Sequence, residues 1–182
     1  MSDTKAPAPA VPTVYPLHTK RHSCAHVMAA ALQKLYPDAK FGVGPAIDQG
    51  FFYDVSLGHR LVDEDLLKIE AEMRRIVKKK EPFVIEMLPI DQAIAEMERL
   101  KQPYKIELLK LLKEKGSTAV AKETGDDDAA AIDSTGTVSF YRTGEFVDLC
   151  RGPHVKHTGL IGAFKLTQFA GASWSGNEKN EH

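Results

Sequence analysis

The sequence is poor in cysteine, with two residues, Cys24 and Cys150, in a chain of 182. So few cysteines argue against a disulfide framework and favour a reducing compartment. No apolar run approaches the roughly 20 residues that are needed to cross a bilayer. The first residues also lack the charged-then-apolar pattern of a secretory signal. We therefore predict a cytoplasmic protein without a membrane partner.

An excess of charge of either sign is absent as well, because 24 lysines and arginines stand against 25 acidic residues. The formal net charge of −1 excludes a generally basic nucleic-acid binder, although a local basic patch remains compatible with it. The hydrophobic fraction of 43% and the length are typical of one globular domain with short tails.

Apolar periodicity alternates between helical and strand-like along the chain. It predicts helices over residues 19–36, 63–81, 91–100 and 103–115, the first two beginning with Thr19 and Asp63 as N-caps. Strands are predicted twice within residues 40–55, then at 83–88, 137–142, 145–149 and 161–169, and residues 125–128 are predicted to be an exposed loop. Interleaved helices and hairpins favour an α+β fold, a two-layer α/β sandwich. We place a flexible Pro/Ala-rich lead at residues 1–18, the folded domain at 19–176 and the start of a linker at 177–182.

Two pairs of metal-binding or catalytic side chains stand out, His22 with His26 and Cys150 with His154. In each pair the residues are four apart, a spacing that places them on one face of a helix. Three imidazoles and one thiol are enough for tetrahedral zinc. A closed set of four protein ligands is typical of a structural zinc, whereas hydrolytic zinc keeps a position for water. The alternatives are a structural zinc, a zinc that expands its shell, and a metal-free site that positions water.

Asp148, two residues before Cys150, is a candidate for orienting an imidazole or a substrate amine. Histidine is the natural general base near neutral pH, while Cys150 has weaker support as a nucleophile because no partner base is assigned to it. The competing interpretation of His22 and His26 is a pair of partly exposed helix histidines without a shared role.

Three strings of the sequence closely resemble the editing domain, the second N-terminal domain, of bacterial-type threonyl-tRNA synthetases. They are residues 21–26, residues 44–54 and residues 147–154. The resemblance extends from about residue 19 to the end of the chain and includes the related editing domain of alanyl-tRNA synthetases. It implies the fold common to both editing domains, a two-layer sandwich with a mainly antiparallel sheet.

The resemblance also implies a function, the hydrolysis of seryl-tRNA(Thr) at the ester that joins serine to the tRNA 3′ end. A methyl-sized difference gives an activation site only about 10–200-fold discrimination, so a second site must remove misloaded serine. By position, the implied catalytic residues are His22, His26, Lys105, Asp148, Cys150 and His154. The implied substrate-binding residues are Gly44, Tyr53, Tyr104 and Arg151.

In the mechanism that the resemblance implies, water attacks the ester carbonyl, His22 or Lys105 polarises the reacting groups, and Asp148 holds the serine amine. No cofactor is required, and a bound zinc would be held by His22, His26, Cys150 and His154. The implied partners are the serine-carrying 3′ end of tRNA(Thr) and the remainder of threonyl-tRNA synthetase.

Two other functions remain open at this point. One is a zinc-stabilised tRNA-binding module without catalysis, and the other is editing of mischarged tRNA(Ala). The string at residues 147–154 favours the threonyl branch. The last residues resemble a run into the linker before a catalytic core, so we favour an excised domain over a free-standing editor. No part of the sequence resembles the catalytic motifs of a synthetase, so we expect that the chain does not aminoacylate. Residues 124–136 resemble an insertion.

Overall fold

A computed structural model describes residues 14–171 of the chain. The predicted linker at 177–182 and most of the predicted lead lie outside the described residues. The helices are α1 (Leu17–Leu35), α2 (Asp63–Lys79), α3 (Ile90–Arg99), α4 (Pro103–Lys115) and α5 (Ser117–Thr124). The strands are β1 (Lys40–Phe41), β2 (Ala46–Ile47), β3 (Gly50–Phe51), β4 (Val55–Ser56), β5 (Phe83–Pro89), β6 (Thr137–Thr143) and β7 (Phe146–Leu149), and a 3₁₀ turn spans Thr158–Leu160.

The predicted α+β class and the antiparallel pairing are confirmed. The largest described sheet has the order β5-β6-β7, with Ile85 opposite Tyr141 and Tyr141 opposite Asp148. Directly opposed residues of antiparallel strands share one face of the sheet. These three side chains therefore lie on the same face, and β7 presents Asp148 there just before the strand ends at Leu149.

Helix α1 lies at the centre of the fold, where it contacts α2, the short strands β2 and β3, and the sheet strands β6 and β7. Small and apolar side chains allow this close approach, and Ala25, Val27, Ala29 and Ala31 are all inaccessible to solvent. A second apolar cluster joins α3, α4 and α5 to the sheet. The histidines of α1 are therefore enclosed on several sides.

Three predicted boundaries differ from the structure for identifiable reasons. Helix α1 begins at Leu17, directly after Pro16, so Thr19 is inside the helix and is not its cap. In α2 the first turn is capped by Asp65, whose carboxylate accepts the Val62 N–H at 3.0 Å, and not by Asp63. The region 40–56 contains four two-residue strands in two antiparallel ribbons, where the sequence predicted two strands within 40–55.

The prediction of a strand over residues 161–169 is wrong. This segment lies along α2 with no strand beside it among residues 14–171. Side chains of α2 supply the hydrogen bonds that a neighbouring strand would supply. Glu70 accepts the Leu166 N–H at 3.0 Å, and Arg74 donates to the Phe164 carbonyl at 3.5 Å.

The prediction that residues 125–128 form an exposed loop is confirmed in part, because the segment is a turn in which Gly125 and Asp127 are exposed. It is wrong for Asp126, which follows helix α5, points inward and is 7% exposed. The turn is held by local hydrogen bonds, since Thr124 Oγ1 accepts the Asp126 N–H and Asp126 Oδ1 accepts the Asp128 N–H. Within the described part of the chain, no helix has the length and apolarity needed to cross a membrane.

Candidate functional site

The two side-chain pairs that were singled out in the sequence come together in space. Helix α1 carries His22 and His26, one turn apart, while Cys150 follows the end of β7 and His154 lies in the loop after it. One donor atom from each residue can be chosen so that all four lie within 4.8 Å of one another. The tertiary fold therefore forms one cluster of three imidazoles and a thiol, which we call the His/Cys cluster.

The thiol of Cys150 contacts two imidazoles of the His/Cys cluster, those of His22 and His154. Its sulfur lies 3.3 Å from His22 Nε2 and 3.4 Å from His154 Nε2, and it accepts the Gly152 N–H at 3.1 Å. Burial raises the pKa of this thiol well above its usual value, and the nearby Asp148 carboxylate raises it further. Because the thiolate is the nucleophilic form, a neutral buried thiol is a poor nucleophile.

The three imidazoles are held in their neutral forms, chiefly because they are buried. Burial lowers the pKa of His22, and the carboxylates of Asp128 and Asp126 act in the opposite direction. Burial lowers the pKa of His26 and His154 well below the usual value, and the neighbouring imidazoles add to this effect. A neutral imidazole has one unprotonated nitrogen, so each of these rings can accept a proton or bind a metal ion.

A second buried group centres on the carboxylate of Asp148. Lys105 Nζ lies 2.5 Å from Oδ1, the Tyr53 hydroxyl donates to Oδ2, and His26 Nε2 is 3.2 Å from Oδ2. Lys105 also donates to the Tyr53 hydroxyl at 3.1 Å. All four residues are at most 8% exposed. Such an ion pair requires hydrogen bonds to its remaining polar atoms, and these partners supply them.

Gly44 allows this arrangement because it lies directly against the ring of Tyr53. A Cβ atom at Gly44 would be 2.2 Å from Tyr53 Cδ2 and 2.5 Å from Cε2. The ring is also in edge-to-face contact with Phe41, with a centroid separation of 5.7 Å. Any side chain at position 44 would therefore displace Tyr53.

One pocket opens onto both buried groups. Its polar wall includes His22, Lys105 and Asp148, and the acidic loop before β6 adds Asp126 and Asp128. Small and apolar residues complete the wall, namely Val43, Gly44, Ala129 and Leu149. The pocket therefore offers a neutral base, a buried cation and several carboxylates to a small polar ligand.

The remaining residues that were predicted to bind substrate lie elsewhere. Arg151 is exposed, and its guanidinium donates to the Asp127 carbonyl at 2.9 Å. Tyr104 is half-buried in the first turn of α4. Neither residue lies in the wall of the pocket.

Sequence reasoning missed three residues of the site, Ser23, Asp126 and Asp128. Asp126 is buried, which raises the pKa of its carboxyl, and Asp128 accepts a hydrogen bond from His18 Nε2 at 2.7 Å. A Gly-Asp-Asp-Asp run is typical of a solvated turn, so the sequence contained no signal for this placement. Ser23 lies between the two histidines of α1 and contacts His154 Nδ1 at 3.0 Å.

The donor set of the His/Cys cluster fits zinc in part. Tetrahedral coordination with bonds of about 2.0–2.3 Å requires donors roughly 3.3–3.8 Å apart. The distances from Cys150 Sγ to His22 and His154 meet that requirement, while the full spread of 4.8 Å exceeds it. His26 Nε2 is also directed at Asp148, so binding all four ligands requires a small contraction.

Comparison with known proteins gives a consistent set of relatives. Residues 138–182 match the family described as the threonyl and alanyl tRNA synthetase second additional domain. The chain is 44% identical over 161 residues to the threonine–tRNA ligase of Acetivibrio thermocellus, covering 88% of this chain and 22% of the ligase. It is 44% identical over 163 residues to that of Clostridium acetobutylicum, and 43% identical over 164 residues to that of Acidithiobacillus ferrooxidans. Each of these alignments covers 90% of this chain and 22% of the ligase. The chain thus spans about a fifth of the length of these relatives, and the resemblance that its motifs indicated is confirmed.

Proposed function

We propose that this chain, which is similar to threonyl-tRNA synthetases and matches their second additional domain over residues 138–182, hydrolyses seryl-tRNA(Thr). The bond cleaved is the ester between the serine carbonyl carbon and the ribose oxygen at the tRNA 3′ end. The observation that carries the proposal is the pocket onto which neutral His22, the Lys105 cation and the Asp148 carboxylate all open. We propose residues 19–176 as the extent of the editing domain.

His22 is suited to activate the attacking water. Its ring is neutral because burial lowers its pKa, and it lines the pocket. As the water oxygen bonds to the ester carbonyl carbon, the imidazole takes the water proton. The proton then passes to the ribose oxygen as the ester bond breaks, so serine and the free 3′ hydroxyl are released. Asp126 and Asp128 favour the transient imidazolium, because both carboxylates act to raise the pKa of His22.

Lys105 is suited to stabilise the charge that develops on the carbonyl oxygen. Its ammonium is buried and is held by Asp148 and the Tyr53 hydroxyl, so it needs little reorganisation during the reaction. A carboxylate offers about four acceptor positions. Three of those on Asp148 are taken by Lys105, Tyr53 and His26, which leaves one for the α-ammonium of serine.

The preference for serine over threonine is assigned to the apolar wall of the pocket. Val43 and Leu149 line the same pocket as Asp148, to which the serine ammonium is assigned, and both are nearly inaccessible to solvent. An added methyl group on the substrate either contacts this wall or occupies the place of the attacking water. Exclusion by contact with a close-packed wall is stronger than the loss of one favourable methylene contact, which is about 1–3 kcal/mol.

The partners that we propose are the 3′ end of tRNA(Thr) and the rest of a threonyl-tRNA synthetase. A net charge of −1 gives the chain little general affinity for RNA, so most of the tRNA affinity is assigned to those other parts. This assignment predicts a high KM for the isolated chain.

A zinc-stabilised tRNA-binding module is the second candidate, and the four donors of the His/Cys cluster favour it. A zinc bound there would be held by His22, His26, Cys150 and His154 and would stabilise the fold. The buried thiol and imidazoles also have hydrogen-bonding partners without an ion, as His26 has in Asp148 and Cys150 has in Gly152. The hydrolase therefore remains our first choice.

The deciding experiment measures deacylation of seryl- and threonyl-tRNA(Thr) by this chain, with zinc content determined on the same sample. We expect faster loss of serine than of threonine, and at least a tenfold loss of rate in His22→Ala. The matched control is His59→Ala, since His59 is exposed and contacts Tyr36 away from the pocket. Absence of hydrolysis at high tRNA concentration, together with stoichiometric zinc and unfolding on chelation, would replace the hydrolase with the binding module.

A further inference from the structure

We infer that Ser23 is a positioning residue of the proposed hydrolytic site, whose hydroxyl determines which ring nitrogens of His154 and His22 carry hydrogen. The result is a free proton acceptor at His22 Nδ1. The inference rests on the proposed function for its kinetic consequence, while the placement of the hydrogens stands on the geometry alone. Ser23 is completely buried between α1 and the loop that carries His154.

The single hydroxyl hydrogen of Ser23 is already engaged. Its Oγ lies 2.8 Å from the Thr19 carbonyl oxygen, which can only accept, so the hydroxyl donates there. The Val155 N–H, which can only donate, reaches the same oxygen at 3.0 Å. The third neighbour is His154 Nδ1 at 3.0 Å. Because Oγ has no second hydrogen to offer, His154 Nδ1 must carry the hydrogen of this contact.

The hydrogen on His154 Nδ1 also determines which atom donates in the contact between His154 and Cys150. A neutral imidazole with its hydrogen on Nδ1 has a lone pair on Nε2, and His154 Nε2 is 3.4 Å from Cys150 Sγ. The hydrogen in that contact therefore comes from the thiol. A thiol has one hydrogen, so it has none left for its second imidazole neighbour, His22.

His22 must then donate to the sulfur. Its Nε2 is 3.3 Å from Cys150 Sγ, and a hydrogen on Nε2 places the lone pair of the ring on Nδ1. That nitrogen is buried and has no hydrogen-bond partner within residues 14–171. A buried nitrogen without a partner is available to a water or substrate that enters the pocket, whose wall includes His22. His26 Nδ1 also has no partner among these residues, but the other nitrogen of that ring is directed at Asp148. The series of hydrogen bonds from Thr19 through Ser23, His154 and Cys150 to His22 thus leaves the lone pair on His22 Nδ1, the proposed base.

Without the Ser23 hydroxyl, the hydrogens of His154 and His22 are no longer restricted to these ring nitrogens. In Ser23→Ala, His154 loses the acceptor at Nδ1 and can move its hydrogen to Nε2. The thiol then donates to His22 Nε2, whose own hydrogen moves to Nδ1 and blocks the proposed base. Loss of the group that orients a metal-binding histidine typically lowers activity by about 10–100-fold, and we take the same range for the proposed catalytic histidine. We expect that loss in kcat, with KM nearly unchanged.

The test joins spectroscopy to kinetics. The nitrogen shifts of ¹⁵N-histidine-labelled protein, recorded without substrate, distinguish a protonated from an unprotonated ring nitrogen. We expect hydrogen on Nδ1 of His154 and on Nε2 of His22 in the wild type, and a changed pattern in Ser23→Ala. Ser23→Thr keeps the hydroxyl and is expected to keep both the pattern and kcat. Ser117→Ala is the matched control, because its hydroxyl also accepts a backbone N–H, from Ile132 at 3.1 Å, away from the His/Cys cluster.

Hydrogen on Nε2 of His154 in the wild type would overturn the inference, whether or not the protein is active. A folded Ser23→Ala with the wild-type pattern and kcat would overturn it equally. If Ser23→Ala or Ser23→Thr fails to fold, the wild-type spectrum decides by itself. An inactive wild type with the expected pattern would refute the proposed function and leave the placement of the hydrogens established.

Discussion

Replacement of Gly44 by alanine is predicted to displace Tyr53 and, through it, the buried group around Asp148. The new Cβ would be 2.2 Å from Tyr53 Cδ2, so the ring must retreat by at least about 1.3 Å to reach van der Waals contact. Phe41 lies edge-to-face against the ring, and the hydroxyl is held by Asp148 and Lys105. Retreat therefore strains the core or breaks the hydrogen bond to Asp148.

The magnitude follows from these two costs. Overpacking of a close-packed site costs about 1–3 kcal/mol, and loss of a hydrogen bond to a charged group costs about 1.5–3 kcal/mol. Because one movement of the ring can relieve one cost at the expense of the other, the two costs do not add, and we expect a loss of about 1.5–3 kcal/mol in the free energy of unfolding. A displacement of about 1 Å near reacting groups can lower the rate about 100-fold, so seryl-tRNA deacylation should fall to a similar extent.

Urea unfolding monitored by circular dichroism measures the first effect, and single-turnover deacylation measures the second. Gly58→Ala is the matched control, since a Cβ atom at Gly58 meets nothing within 4 Å. Substitutions without structural consequence change the free energy of unfolding by at most about 0.5 kcal/mol. If the free energies of unfolding of Gly44→Ala and Gly58→Ala differ by no more than that, the reasoning about the close approach is refuted.

Three further predictions concern the charges of the fold and the metal. Lys105→Met should lower the free energy of unfolding by about 3 kcal/mol in urea titrations, because it leaves the buried Asp148 carboxylate without its cation; an unchanged midpoint would contradict the ion pair. Glu72→Gln should cost about 1 kcal/mol at pH 7, because Glu72 joins α2 to Lys34 of α1 at 2.6 Å. The hydrogen bond from Lys34 is the main cause that lowers the pKa of Glu72 in the folded protein. The stabilisation by Glu72 is therefore fully present above its unfolded pKa of about 4.3 and is lost as the pH falls through the lower folded pKa. A destabilisation by Glu72→Gln that persists at pH 2 would contradict this. Dialysis against a chelator should leave deacylation unchanged, with metal content checked by mass spectrometry, and a loss that zinc restores would make the metal part of the machinery.

Two matched variants serve as controls for the charge substitutions. Lys110→Met makes the same change on α4 at an exposed position, and Glu64→Gln does so in the first turn of α2. Both should remain within about 0.5 kcal/mol of the wild type. A loss in Lys110→Met equal to that in Lys105→Met would assign the effect to helix α4 in general.

Helices α1 to α4 and the hairpin of β6 and β7 could be predicted because their signals are local, whereas α5 was not predicted. Amphipathic spacing, Pro103 at the start of α4 and Gly116 after its end are all read within a few residues. The strand predicted over 161–169 failed because its hydrogen-bond partner is Glu70 on α2, and nothing in the segment reveals that it lies along a helix. The short strands of residues 40–55 were merged for a similar reason, since their pairing depends on tertiary contacts.

The sequence by itself determined which chemistry the chain carries. The pairs His22 with His26 and Cys150 with His154, together with Asp148, supply imidazole, thiol and carboxylate groups, and all of them are recognisable in the sequence. Only the tertiary structure decided how these groups are used. Lys105 comes to Asp148 from 43 residues away and Ser23 to His154 from 131, while Asp126 is turned inward from a run that looks solvated. The physical reason is that protonation states, hydrogen-bond directions and free lone pairs depend on burial and on neighbours from distant segments, which local patterns do not encode.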